Sequence, residues 1–317
     1  MVKMKKSTKI IVSVIAFIAA ASAVTGKIFG DYVLNTKYKG FTTSKLPHNG
    51  SQKHEEFKTR TKKYAEWLEE NSEDIFLLTK DNVKVHALLC RAKKISRKYI
   101  IMCHGYKGRA QDLGFQAYNF RNMGYNVLSV DARASGKTQG KFIGMGYIDK
   151  SDLKGYINFV LARDPQAQIV LYGISMGASE VMMAAGEQLP QNVKAVVEDS
   201  GFTSVWDILG YQLKETMRLP VQPILFLGSL YAKLRTGLDF KRASAAEAVK
   251  NTSLPILFIH GTKDKSVPFE MFGELYESCN SEKEAYVVEG ADHMHCDLAA
   301  PEKYYGCIEE FLNKYIK

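Results

Sequence analysis

From Ile75 onward, short apolar runs recur along the chain, separated by charged and turn-forming residues: IFLLT (75–79), VKVHALLC (83–90), KYIIMCH (98–104), YNVLSVD (125–131), QIVLYG (168–173), VKAVVED (193–199), LPILFIH (254–260) and EAYVVEG (284–290). Runs this short and this continuously apolar fit strands buried on both faces, and from the third onward each is followed by room for a helix. The pattern predicts an α/β domain with an eight-stranded, mostly parallel sheet flanked by helices. The first two runs stand three residues apart and predict an antiparallel hairpin at one edge. One interval breaks the rhythm: Phe202 to Asn251 is too long for a simple crossover. Its apolar patches, Leu209, Tyr211, Leu213 and Met217, then Ile224 to Leu227 with Leu230 and Tyr231, predict two helices forming a small lid over 202–251.

Ahead of the strands the pattern differs. HEEFKTRTKKYAEWLEEN, His54 to Asn71, has helical composition with Tyr64, Trp67 and Leu68 as its apolar stripe. Earlier still, Ile10 to Val24 is an uncharged run, IIVSVIAFIAAASAV, preceded by Lys3, Lys5, Lys6 and Lys9. Continued to Phe29 with Lys27 snorkelling, it reaches about 20 residues, enough to cross a bilayer. Two readings stand side by side. One is a single-pass N-terminal anchor in the cell membrane, which the flanking lysines orient with the body extracytoplasmic. The other is a signal sequence cleaved near Ala21-Ser22-Ala23, which makes the protein secreted. The expected organisation is an anchor or signal over 1–30, a basic stalk with a helix over 31–72, and the α/β domain over 73–317.

Charge supports the membrane side of this picture. The net charge of +9 would suggest a nucleic-acid partner if it were spread over the body, but the first 63 residues hold 13 Lys and Arg against 3 Asp and Glu, leaving 30 against 31 for the rest. No basic nucleic-acid groove follows from a neutral body; a basic segment beside an apolar run points to a membrane surface. The 46% hydrophobic content allows a substantial core, and five scattered cysteines with no C-x-x-C do not make a disulfide framework. Neither H-E-x-x-H nor a G-x-x-x-x-G-K-[ST] loop occurs, so no metal and no cofactor are expected. Gly140 to Gly146, GKFIGMG, mimics a dehydrogenase glycine pattern but lies about nine residues beyond a strand, where a dinucleotide turn does not sit.

The candidate chemistry starts at GISMG, Gly173 to Gly177, between an apolar strand and a helix-forming run. A serine hydroxyl is a weak nucleophile until a base takes its proton, so Ser175 needs a histidine, a carboxylate and an oxyanion site. Small flanking residues suit the sharp turn that lifts such a serine above a sheet, and the Met176 amide at the following helix start is one oxyanion donor. HGYKG after the third strand offers the Tyr106 amide as the second, with His104 as a structural residue of that loop. Asp264 follows the seventh strand and His293 the eighth. Asp199 at the end of the sixth strand is the rival acid, and His295 the rival base.

The stretch from about Ile75 to Ile316 resembles the α/β-hydrolase superfamily, most closely its serine-aminopeptidase-like domains, including N-terminally anchored bacterial members. The resemblance rests on HGYKG, VDARASGKTQG, GISMG, FIHGTKDKSVP and VEGADH. It departs at Ala134-Ser135, where Gly-His is usual, and at Asp292, where Gly is common. It implies the α/β-hydrolase fold, Ser175 as nucleophile, Asp264 as acid and His293 as base. The implied reaction is hydrolysis of a small-molecule carboxylic ester, thioester or amide through an acyl-enzyme. An aminopeptidase-like peptidase and a membrane-tethered, non-catalytic binding protein on the same fold are the alternatives.

Overall fold

The computed structural model describes residues 6–38 and 52–317; the parts of the expected anchor and stalk at 1–5 and 39–51 lie outside the described residues. Eight strands form one sheet: β1 Glu73–Leu78, β2 Lys84–Cys90, β3 Lys98–Cys103, β4 Asn126–Asp131, β5 Gln168–Ile174, β6 Val193–Asp199, β7 Ile256–Gly261 and β8 Lys283–Val288. Their order is β1-β2-β4-β3-β5-β6-β7-β8. The β1–β2 hairpin is antiparallel, as is the β2–β4 pairing, and every pairing from β4 to β8 is parallel.

Alternate residues of each central strand feed two separate cores, as the period of two requires. On β3, Ile101 and Cys103 point to one layer and Ile100 and Met102 to the other; on β5, Leu171 and Tyr172 divide the same way. The first layer is covered by α4 (Lys150–Arg163), α5 (Met176–Ala185), α8 (Ala245–Val249) and α9 (Phe269–Ser278). The second is covered by α2 (Gln52–Glu70), α3 (Gly114–Asn122), α10 (Cys296–Ala299) and α11 (Pro301–Leu312). All five cysteines are free, and Cys103 is buried as its apolar run implies.

The lid contains three helices where two were expected. α6 (Val205–Tyr211) widens into a π-type turn over Gln212–Thr216, α7 spans Ile224–Thr236, and α8 returns the chain to the sheet. α8 is five residues long, too short for a periodic signal, and is marked only by its Ser244 cap, whose side chain accepts from the Glu247 amide at 3.1 Å. Ser204 caps α6 in the same manner, and a bridge between Ser204 and Ser244 closes the base of the lid.

The N-terminal helix α1 (Lys6–Leu34) runs unbroken past residue 30, and its last turns belong to the packing of the domain. Phe29, Val33 and Leu34 are buried in the first core layer. α1 lies along α7, where a Cβ on Gly26 would come 2.6 Å from the Leu227 carbonyl oxygen and one on Gly30 would meet the Tyr231 ring. The stalk helix leans on the body, as its apolar stripe implies. Leu68 of α2 is fully buried, and Tyr64 and Trp67 pack edge-on against Phe115 and Tyr118 respectively.

Candidate active site

The chain leaves β5 at Ile174 and enters α5 at Met176, so Ser175 occupies the entire turn. It sits at φ 56° and ψ −116°, a conformation that costs a non-glycine residue energy and is held by its surroundings. The Ser175 amide donates to the Asp199 carbonyl at 2.8 Å. Close backbone approach explains the flanking glycines: a Cβ on Gly173 would fall 2.1 Å from the Gly177 carbonyl oxygen, and one on Gly177 would fall 2.1 Å from that of Cys103. A larger residue at either position would push the helix off the strand.

His293 and Asp264 arrive from loops after β8 and β7. His293 Nε2 stands 2.9 Å from Ser175 Oγ, and His293 Nδ1 stands 2.6 Å from Asp264 Oδ2. The other carboxylate oxygen, Oδ1, accepts the amides of Ser266 and Val267 at 2.8 and 2.9 Å. This fixes the imidazole with its proton on Nδ1 and a lone pair on Nε2 facing the serine hydroxyl. Burial pushes the Asp264 carboxyl up, but the imidazoles of His293 and His260 outweigh it and hold the group well below the usual carboxylate range.

The rivals lie elsewhere. Asp199 is buried beneath the elbow, where it accepts from Tyr304 Oη at 2.8 Å and from Ser200 Oγ at 2.8 Å. Burial raises its pKa, in contrast to Asp264. His295 stacks at a tilt on Phe57 with ring centroids 4.8 Å apart, directed toward α2. His104 donates from Nδ1 to the Gly105 carbonyl at 2.7 Å and accepts the Ala132 amide at Nε2, so both nitrogens serve the loop. Ala134, which replaces a common glycine, adopts φ 60°.

Tyr106 and Met176 both line a cavity of about 210 Å³ that contains Ser175 and His293. The Tyr106 amide has no protein acceptor among the described residues, and the Met176 amide is at the first position of α5, where helix amides lack an internal partner. The rest of the lining is mostly apolar, including Met145, Phe202, Ile208, Leu209 and Val267, and among the described residues it contains no carboxylate. The GKFIGMG loop ends against α5: Gly146 (φ +77°) packs on Glu180.

Three supports were not legible in the sequence. His260, at the end of β7, lies 3.4 Å from Asp264 Oδ2 and donates to the Val267 carbonyl at 3.0 Å. On the outer side of the histidine loop, Arg60 of α2 reaches across 237 positions to pair with Asp297 at 2.7 Å, and Gln116 Nε2 donates to the same carboxylate. At the oxyanion loop, Tyr106 Oη donates to the Val33 carbonyl of α1 at 2.6 Å, and Lys107 donates to the Tyr38 carbonyl. Nothing in local spacing announces contacts this distant; the unusually aromatic and basic face of α2 was the available hint.

Residues 94–226 match the family described as serine aminopeptidase (S33). The uncharacterized protein YqkD of Bacillus subtilis is 27% identical over 68% of this chain and 70% of its own. The uncharacterized membrane protein YNL320W of Saccharomyces cerevisiae is 22% identical over 76% of this chain and 79% of its own. The chain spans about half the length of other curated relatives it matches. Among solved structures, the Pyrococcus furiosus esterase Pf2001 superposes with a TM-score of 0.63 at 25% identity, covering 78% of this chain and 93% of that one. With the sheet order and these likenesses in agreement, the chain has the α/β-hydrolase fold, is similar over 94–226 to the serine aminopeptidase family, and is an α/β-hydrolase enzyme.

Proposed function

We propose that this protein is a serine hydrolase of carboxylic esters with an apolar acyl group, working through an acyl-enzyme on Ser175. The observation that carries the reading is the continuous relay from Ser175 Oγ to His293 Nε2 at 2.9 Å and from His293 Nδ1 to Asp264 Oδ2 at 2.6 Å, at the wall of an apolar cavity. Ser175 attacks the carbonyl carbon while His293 takes its proton. The Tyr106 and Met176 amides receive the developing oxyanion, and His293 then protonates the leaving alcohol. Water repeats the sequence to release the acid, with Asp264 holding the imidazole and stabilising it when charged. An aminopeptidase needs an anionic group to hold the substrate's free amine; the absence of a carboxylate from the cavity lining favours an ester.

The reading includes an α1 that anchors the enzyme in the cell membrane with the catalytic body extracytoplasmic. It also groups residues 73–317 as the catalytic domain and 202–251 as its lid. The test uses the full chain in detergent with a fluorophosphonate probe and a series of p-nitrophenyl acyl esters. Wild type should label and turn over, with a preference beyond acetate, whereas Ser175→Ala does neither. A folded wild type that fails to label would move the non-catalytic binding reading to the front.

A further inference from the structure

The lid helix α7 and the N-terminal helix α1 form a parallel pair. Gly26 faces Leu227, Phe29 faces Gly228 and Gly30 faces Tyr231, so positions on both helices climb together. Tyr231 Oη donates to Asp31 at 2.8 Å, which fixes the register. Glycines at the crossing let the backbones approach closely, as in helix pairs that associate inside lipid.

This register sets the depth of the lid. An α-helix rises 1.5 Å per residue, so Ile10 to Phe29 spans about 30 Å, the thickness of a hydrocarbon core. Lys27, within that stretch, pairs with Asp31 one turn further out, which moves its charge to the edge. α7 begins at Ile224, about one to two turns of helix below the level of Phe29. Its first turns would therefore lie about 6–9 Å inside the hydrocarbon, within the 5–10 Å typical of interfacial helices.

The side chains of α7 agree with that depth. Phe226, Leu230 and Leu234 make one stripe at four-residue spacing and are 56%, 45% and 79% exposed, an unusual state for large apolar residues on a lid. Lys233 and Arg235 lie in the last turn, at headgroup level. On α1, Phe17, Ile18, Val24 and Ile28 are exposed as well. The stripe thus continues an apolar helix surface already long enough to meet a bilayer.

We propose that the lid of this enzyme is itself a membrane-seated element: the acyl region of the bilayer covers Phe226 and Leu230, and the ester substrate enters the cavity from the lipid phase. The inference rests on the anchor reading above. Its test places a tryptophan on the lid of the full chain, Phe226→Trp, with Leu230→Trp as a second reporter, reconstituted in phosphatidylcholine vesicles with or without brominated acyl chains. Unsubstituted protein supplies the background of Trp67 and Trp206.

Co-flotation with the vesicles reports the anchor, quenching reports the lid, and fluorophosphonate labelling reports the folded site. The expected result is co-flotation with at least twofold quenching of the introduced tryptophan by brominated lipid. Co-flotation without quenching overturns the proposal and leaves the anchor intact; a blue-shifted but unquenched tryptophan would assign the stripe to a protein partner instead. Protein that labels but does not float removes both the anchor and the proposal.

Discussion

Ser175 shows how a single residue concentrates the demands of this site. Its left-handed φ is the position a chain would normally give to glycine, and the cost of placing a serine there is of order 1–3 kcal/mol, offset by the strand and helix that clamp the turn on either side. The acid is placed with similar economy. Asp264 spends one oxygen on two loop amides and the other on His293. Because the folded carboxyl is held well below its unfolded value of about 3.9, it contributes stability that is fully present above pH 4 and is lost progressively as pH falls below that value. The melting-temperature difference between wild type and Asp264→Asn should therefore shrink as pH falls below 4. The same substitution should lower kcat by roughly 10³–10⁴-fold, since the imidazole loses the partner that orients it, while Asp199→Asn, away from His293, should cost far less. Equal losses in the two variants would overturn the choice of Asp264, and a larger loss in Asp199→Asn would move the acid role to Asp199.

At the scale of elements, the strands were legible because a sheet buried on both faces imposes uninterrupted apolar runs, and the loops that bring Ser175, Asp264 and His293 together were legible because each stands at the carboxyl end of such a run. α8 was not, since five residues carry no period; the apolar stripe of α2 did imply a helix leaning on the domain, but its partners, like the docking of α1, depend on long-range contacts. These two helices brace the site from opposite sides: α1 at the oxyanion loop through Val33 and Tyr106, α2 at the histidine loop through Arg60 and Asp297. Burial of Phe29, Val33 and Leu34 contributes about 1.5–3 kcal/mol each as an upper estimate. Deleting residues 1–39 should consequently lower the melting temperature and the activity together, whereas deleting residues 1–22, which ends before the packed turns, should leave turnover of a soluble ester within about twofold. Arg60→Ala leaves the Asp297 carboxylate buried without its cation and should cost roughly 3–5 kcal/mol in urea denaturation; a loss under about 1 kcal/mol would mean that α2 does not brace the loop.

Across the whole molecule, the positive charge gathers at the front while the body is balanced, and the candidate site opens beneath a lid whose neighbour is the front helix itself. α1 is 29 residues long, about 43 Å at 1.5 Å per residue, and its C-terminal end accepts a hydrogen bond from the hydroxyl of Tyr106, the residue proposed to offer its amide to the oxyanion. On the proposed anchor reading, α1 is a rod gripped at one end by lipid and at the other by the Tyr106 loop, and such a rod is a lever. A bilayer thinner than the apolar stretch tilts such a rod, and a thicker one is thinned around it and pulls on its flanking residues; either strain arrives at Tyr106 as a displacement of the loop. Turnover of one soluble ester by the reconstituted enzyme should then pass through a maximum as the host lipid acyl chains are lengthened from 14 to 22 carbons, at roughly the thickness that fits Ile10 to Phe29. Tyr106→Phe, which disconnects the lever, should flatten that profile.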